Sequence, residues 1–424
     1  MVKCLQALKL SRIGQLLKPL LVTTHPPRPA RLLELAPGAK DNACSTCFLA
    51  DAEPLVTHLA LLTAHANVLL MVLVCAAGIS LLVVLTKRHH GHLTLDSDLG
   101  VQKFHVHPTP RVGVLGIYLG VALAWAVVRS PAARQVLGVM LVAGLPALIF
   151  GLLEDVTKRV SVRARLLATF GSGLLACWLS GIALTRVDVP WIDGLFAVPL
   201  VGVLFTAFAI SGIANAINII DGFHGLASGT TLIALLALAA ICVRAGDIPL
   251  ALVCLFLAAA VAGFWLVNYP WGKIFLGDGG AYFVGFAVAW IAILLPMRNP
   301  EVSVWSGLVV CAYPVIEVLY SVARRAMGNV SPGAPDNRHL HSLLKTEVIR
   351  HFWPQGDKAF QNAAVAPVVW CFVLVPALLG VAFYNQSGWL ALTLLACTLM
   401  YHGAYQFLAS GRLHFRAAEP LTVI

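Results

Sequence analysis

Apolar residues fall along the chain in long blocks broken by short polar stretches, with no period-two alternation that would signal strands. Runs near the roughly 20 residues needed to cross a hydrocarbon core predict about eleven transmembrane helices. They lie near 58–85, 113–129, 135–152, 166–185, 195–213, 230–246, 248–266, 281–297, 303–323, 365–384 and 387–409. The expected architecture is an all-α polytopic membrane protein, with a transmembrane domain over 57–410 and a cytoplasmic tail over 411–424. Ahead of it, residues 1–56 carry Lys3, Lys9, Arg12 and Lys18, then the Pro-rich run His25 to Pro29, then a polar stretch. No apolar core with a small-residue cleavage site stands out there, so no signal peptide is assigned and the arm is expected to be poorly ordered.

Composition supports the same class. The 424 residues are 59% hydrophobic and 11% charged, with mean hydropathy +0.85, whereas ordinary soluble domains carry about 25% charged residues. The net charge of +10 is spread over loops. That argues against a nucleic-acid-binding domain and suits anionic head groups and phosphates. Most of the ten cysteines sit singly inside apolar runs, as small hydrophobes. Cys44 and Cys47 form a lone Cys-x-x-Cys without the second pair or histidine spacing of a metal site.

Polar residues at the ends of apolar runs change the picture. After the fifth span comes Asn215-Ala-Ile-Asn218-Ile-Ile-Asp221-Gly222-Phe-His224-Gly225, in which a spacing of three keeps the amides and the carboxylate within an arc of about 120° on a helix. The loop after the first span is rich in cations, ending in Lys103-Phe-His105-Val-His107-Pro108-Thr-Pro110-Arg111. The third span ends in Gly151-Leu-Leu-Glu154-Asp155, and adjacent carboxylates at a membrane edge call for cations or a metal. Gly277-Asp278-Gly279-Gly280 follows the seventh span, and Arg338-His339-Leu-His341 lies in the long loop after the ninth.

With spans numbered one to eleven, all five stretches fall on one side of the membrane. Their loops hold fifteen Lys/Arg against five in the others (Arg129, Arg134, Arg186, Arg244, Arg298), so the positive-inside rule places them in the cytoplasm. The first arm resists this arrangement, since eleven spans would put its seven Lys/Arg outside. Carboxylates, amides, cations and paired histidines on one face suit Mg²⁺, which takes one or two carboxylates and completes its shell with phosphates and water. Phosphoryl transfer needs that combination.

Taken together and in order, the five motifs resemble the polyprenyl-phosphate N-acetylhexosamine-1-phosphate transferases, the family that includes the phospho-N-acetylmuramoyl-pentapeptide transferases. The resemblance runs from about 95 to 345. It implies a reaction in which a UDP-N-acetylhexosamine gives its sugar 1-phosphate to undecaprenyl phosphate and UMP leaves. It further implies Mg²⁺, with Mn²⁺ as the alternative ion, held by Asp278 and Asp221. Asp155, Asp221 and Glu154 would assist the metal or activate the lipid phosphate, and Asn215 and Asn218 would contact the nucleotide sugar. Lys103, His105 and Arg111 would hold phosphates, while Arg338, His339 and His341 would lie at the donor's sugar phosphate, with His339 in a catalytic role. The implied location is the inner membrane with a cytoplasmic active site, and a homodimer is compatible with the sequence.

Two positions depart from the family pattern. Glu154 replaces the first of paired aspartates, and His224 stands where the family has a second aspartate after Asp-Gly. A histidine is a poor Mg²⁺ ligand but a good phosphate donor or acid/base, so His224 is expected at substrate and not at metal. Ser342 follows His341 where the muramoyl-pentapeptide branch has a further histidine, which favours a simple hexosamine donor for surface polysaccharide or O-antigen. The muramoyl-pentapeptide reaction is the first alternative. A transporter is the second, although carboxylates at span ends and the lack of an internal repeat disfavour it.

Overall fold

The computed structural model describes residues 43–96, 109–328, 336 and 338–411. The expectations for the N-terminal arm up to residue 42, for Lys103 and His105, and for the tail beyond Gly411 lie outside the described residues. Contacts divide the chain into 1–52 and 53–424, and apart from the start of one helix at Ala43 only the second unit is described below.

The first long helix, α1 (Ala43–Leu85), is followed by α2 (Lys87–Thr94) and a two-stranded antiparallel ladder of β1 (Leu95–Asp96) and β2 (Thr109–Pro110). Then come α3 (Val114–Val127), α4 (Pro131–Ala143), α5 (Leu145–Thr157), α6 (Val162–Ser180), the short α7 (Pro190–Asp193), α8 (Pro199–Ile220), α9 (Leu226–Arg244) and α10 (Ile248–Asn268). The last third holds α11 (Gly277–Arg298), α12 (Val304–Val310), α13 (Ala312–Met327), α14 (Leu340–Leu343), a π-helical turn Leu344–Ile349, α15 (Arg350–Phe352), α16 (Lys358–Ala382) and α17 (Ser387–Ala409).

The all-α polytopic class stands, but the count of eleven spans does not. Among the described residues seven helices are long and apolar enough to cross a membrane, or nine if two bent pairs each count as one span. The expected third span breaks between α4 and α5 with a 42° bend, and the ninth between α12 and α13 with a 78° bend. At the first break, a Cβ on Gly144 would lie 2.7 Å from the Phe283 ring, and Pro146 follows at once; at the second, Pro314 lies just inside α13. Both prolines remove a backbone donor where a straight helix would need one. The expected second span is only the 14-residue α3. The expected eleventh, α17, ends in Tyr401, His402, Tyr405 and Gln406, which lower its apolarity.

One helix organises the rest. Twenty residues of α11, Gly277 to Pro296, are buried, an apolar surface on every side that only a core helix can satisfy. It packs chiefly on α8 and α5, with α9, α12 and α3 around them. The crossing with α5 is made by backbone: a Cβ on Gly151 would come within 2.5 Å of Gly279 Cα. This is the small-residue contact that lets membrane helices approach closely.

A candidate phosphosugar site at the head of the central helix

The N-terminus of α11 is where the separate polar stretches meet. Its first N–H groups have no partners within the helix, and two carboxylates from other helices supply them. Asp155, fully buried at the end of α5, accepts the N–H of Asp278 through Oδ1 at 3.0 Å and that of Gly279 through Oδ2 at 2.9 Å. Asp221, the residue that ends α8, accepts the N–H of Gly277. Gly277 itself sits at φ +74°, and a Cβ there would lie 2.0 Å from the Arg111 carbonyl. Both the conformation and the space require glycine.

Asp278, aimed by this arrangement, is met by three donors from three directions. Arg111 Nη2 is 3.2 Å from Oδ1, Asn218 Nδ2 donates to the same oxygen at 3.1 Å, and Arg165 Nη1 bonds Oδ2. Arg111 also reaches Asp155 through Nε at 3.3 Å. The segment carrying Arg111 is fixed by backbone: its N–H donates to Thr94 O, the Phe275 N–H to Pro110 O, and the Gly113 N–H to Phe275 O. Tyr282 Oη donates to Asn218 Oδ1 at 3.3 Å and holds the amide's orientation.

Three clustered carboxylates, Asp155, Asp221 and Asp278, with two guanidiniums make an electrostatically mixed site. Burial pushes the half-buried Asp221 carboxyl up to about 7; Arg111 opposes that shift, Asp278 and Asp155 add to it, and the Gly277 N–H opposes it again. Arg165 Nε is buried with no hydrogen-bond partner. A buried cationic donor left open suits an anionic oxygen from a ligand.

Other expected residues are placed differently. Asn215 lies one turn before Asn218 and donates to Ser211 O at 2.8 Å and Thr169 Oγ1 at 3.3 Å, within the packing of α8 on α6. Glu154 accepts the Val160 N–H at 2.8 Å and shapes the turn that leads toward Arg165. His224 is buried, with Nδ1 3.0 Å from Pro270 O, and Gly272 lies so close that a Cβ would come within 2.2 Å of Nε2. His224 therefore fastens the 221–225 loop to the 269–276 loop. Asn268 does the same, accepting the Gly225 N–H and donating to Ile274 O.

The histidine motif forms a second wall. His339 and His341 stack with centroids 5.2 Å apart, and both face Glu317 of α13, which is 1% exposed. Glu317 Oε1 is 2.9 Å from His339 Nδ1, and Glu317 also accepts the Leu340 N–H; His341 Nδ1 is 3.2 Å from Tyr313 Oη. Burial lowers the His341 pKa against the opposing pull of Glu317. Arg338 is exposed, and its N–H donates to Asp336. Asp336 is held well below the usual carboxylate range: burial works against this, but the Arg338 N–H, Ser321, His339 and Arg324 outweigh it. The motif joins the first wall through Phe223, whose ring lies 5.6 Å from that of His341 at 74°.

Arg165, Tyr282, Asn268, Glu317 and Asp336 were not among the expected site residues. Glu317 had a signal: a lone carboxylate inside an apolar run is functional by default. Asn268, at the end of α10, and Asp336 stood among polar residues with no spacing to single them out.

Mg²⁺ can be tested against these groups. Among the described residues no cluster of three or more His, Cys, Asp or Glu could hold a metal alone. The oxygen donors at the head of α11 fit an ion that takes one or two carboxylates and the rest of its shell from phosphate and water. Asp278 and Asp221 are the two candidates: the Asp155 oxygens are held by backbone N–H groups, which are fixed, whereas those of Asp278 meet the side chains of Arg111, Asn218 and Arg165, which can turn aside.

Residues 137–296 match the family model described as glycosyl transferase family 4. The chain is 26% identical over 251 residues to a Bacillus subtilis protein named "Probable undecaprenyl-phosphate N-acetylglucosaminyl 1-phosphate transferase", covering 59% of this chain and 69% of that one. It is 28% identical to the undecaprenyl-phosphate alpha-N-acetylglucosaminyl 1-phosphate transferase of Yersinia pestis, covering 57% and 67%. It is also 25% identical to the phospho-N-acetylmuramoyl-pentapeptide-transferase of Clostridium perfringens, covering 64% and 84%. The matched region carries Asp155, Arg165, Asn218, Asp221 and Asp278, so the residues gathered at the head of α11 lie within the stretch that is similar to glycosyl transferase family 4.

Proposed function

We propose that this protein transfers a sugar 1-phosphate from a UDP-N-acetylhexosamine to undecaprenyl phosphate at the cytoplasmic face of the inner membrane, releasing UMP and starting a cell-envelope polysaccharide. The observation that carries this reading is the convergence on Asp278 of Arg111, Arg165 and Asn218, from three distant parts of the chain, at a helix N-terminus. Guanidiniums favour phosphate oxygens, which they bind by charge-assisted hydrogen bonds.

In the proposed reaction a lipid phosphate oxygen attacks the phosphorus that bears the sugar. A new P–O–P bond forms as the bridging P–O bond to UMP breaks, and the electron pair leaves with UMP. A bound Mg²⁺, held by Asp278 and Asp221, would neutralise charge developing on the leaving phosphate. Arg111 and Arg165, which meet Asp278 in this structure, would turn to phosphate oxygens of the substrates. Asn218 would orient Asp278 or the donor. His339 and His341, held by Glu317 and Tyr313, would contact the donor's sugar phosphate, and a neutral His341 could hold or give a proton there. The lipid acceptor explains why the site sits at the end of a membrane bundle.

The similarity to the muramoyl-pentapeptide enzyme of Clostridium perfringens keeps a second donor in view. One experiment separates the two and tests the whole reading: purified protein with undecaprenyl phosphate, Mg²⁺ and a panel of UDP-N-acetylhexosamines plus UDP-N-acetylmuramoyl-pentapeptide, assayed for UMP. Release with a simple UDP-N-acetylhexosamine is expected; silence with every donor would end the transferase proposal.

A further inference from the structure

Lys345 is buried at 2% exposure, beside the histidine motif but outside the chemistry assigned above. A lysine side chain is costly to bury. Its Nζ donates to Asn362 Oδ1 of α16 and lies 5.6 Å from the centroid of the Phe223 ring. Burial, with Arg350 and Lys358 as like charges nearby, brings its pKa down to about 7.

Position gives this contact its meaning. Lys345 lies four residues after His341, one turn along the same segment, so both side chains can face the same way. Both meet Phe223: His341 by an edge contact at 5.6 Å, Lys345 by the ammonium-to-ring contact. Phe223 is two residues from Asp221 in the loop that caps α11. Lys345 also occupies the π-helical turn Leu344–Ile349, a distortion that often marks functional sites. Asn362, itself 2% exposed, anchors the amine from behind.

We propose that Lys345 is a positioning residue, which with His341 grips Phe223 and so registers the histidine segment against the Asp221 loop. This rests on the transferase reading for its kinetic consequence, though not for its structural one. A side chain that merely fills space would leave the relation between the two walls unchanged on replacement by an isostere.

The test uses full-length protein carrying Lys345→Met, Phe223→Leu, and both. The expected result is a kcat lowered roughly 10- to 100-fold by each, the scale of a misplacement of about 1 Å, with donor KM changed by less than about threefold. The double variant should lose no more than the worse single one, because the two act through one contact. Wild-type kcat in Lys345→Met, or losses that multiply, would overturn the inference. If Lys345→Met does not fold, Asn362→Leu, which removes the anchor and keeps the lysine, carries the same expectation. Hydrogen exchange provides a readout independent of turnover: amides of 221–225 and 339–346 should quicken together in Lys345→Met, and quickening in one segment alone overturns the proposal. A wild-type protein that releases no UMP defeats the transferase reading and leaves the exchange result to decide this one.

Discussion

Asp155 and Asp278 are joined through backbone: Oδ1 of the first accepts the N–H of the second at 3.0 Å. The carboxylate of Asp155 thus aims Asp278 by fixing the turn that carries it. Asp155→Ala should leave two buried N–H groups without an acceptor, each costing about 1–3 kcal/mol. The expected outcome is a clear fall in Tm together with loss of turnover. Asp155→Asn, which keeps one acceptor, should fall between. Thermal unfolding and UMP release measured on the same preparations check both.

The raised pKa of Asp221 sets a direction for pH dependence. With its carboxyl at about 7 in the fold and near 3.9 when unfolded, the folded protein holds a proton that the unfolded chain gives up between those values. Stability of the metal-free protein should therefore fall as pH rises from about 4 to about 7, and level off above. Mg²⁺ affinity should move the opposite way, rising up to about tenfold per pH unit below 7, because the ligand must lose its proton. Asp221→Asn should flatten both curves. Calorimetric titration with Mg²⁺ between pH 6 and 8, alongside Tm, tests the sign.

Glu317 holds His339 and the Leu340 N–H from inside α13. Glu317→Gln keeps the shape but loses the negative charge that faces both imidazoles. A kcat loss of roughly 10- to 100-fold is expected, the range of an outer-shell orienting group, with Mg²⁺ affinity unchanged. An equal loss of metal binding would show that the two walls are not separable in this way.

The contact of Gly151 with Gly279 predicts a steep size limit. A methyl at 151 meets backbone 2.5 Å away, which cannot yield as a side-chain end could. Gly151→Ala should separate α5 from α11, lowering stability by an amount typical of an overpacked core, about 1–3 kcal/mol, with a lower Tm and reduced turnover. Gly171, also on a helix but with nothing within 4 Å of a built Cβ, is the control. Gly171→Ala should be neutral or stabilising by up to about 1 kcal/mol.

His224, buried against Pro270 and Gly272, should act on substrate through loop position. His224→Ala is expected to raise donor KM several-fold while Mg²⁺ affinity stays as it was. A drop in metal affinity equal to that of Asp278→Asn would make His224 a ligand after all.

The motifs were legible because carboxylates, amides and cations are conspicuous at the ends of apolar runs, where burial makes them expensive. Their order along the chain said which stretches would meet; it did not say which atoms. Asn215 and Asn218 share a spacing that suggests one shared face, yet one turn of helix separates a packing contact with α6 from a contact with Asp278. Glu317 could have been found from its isolation within an apolar run. Asn268 could not, because an asparagine at the end of an apolar helix has many uses and only the paired backbone contacts at Gly225 and Ile274 reveal this one. The span count failed partly at the breaks after α4 and α12, where an apolar stretch of membrane length turns a corner that hydropathy does not register, and partly at the short α3 and the less apolar α17.

The burial of α11 has one more consequence. The helix that bears Asp278 has nearly all its surface against protein, whereas the Thr63–Leu85 span and α6 expose most of theirs. A bilayer that thickens or thins acts on lipid-facing helices by tilting or stretching them, and reaches α11 only through its neighbours. The reacting centre is thereby insulated from membrane composition: turnover should vary little between vesicles of short- and long-chain lipids, even where the outer helices tilt.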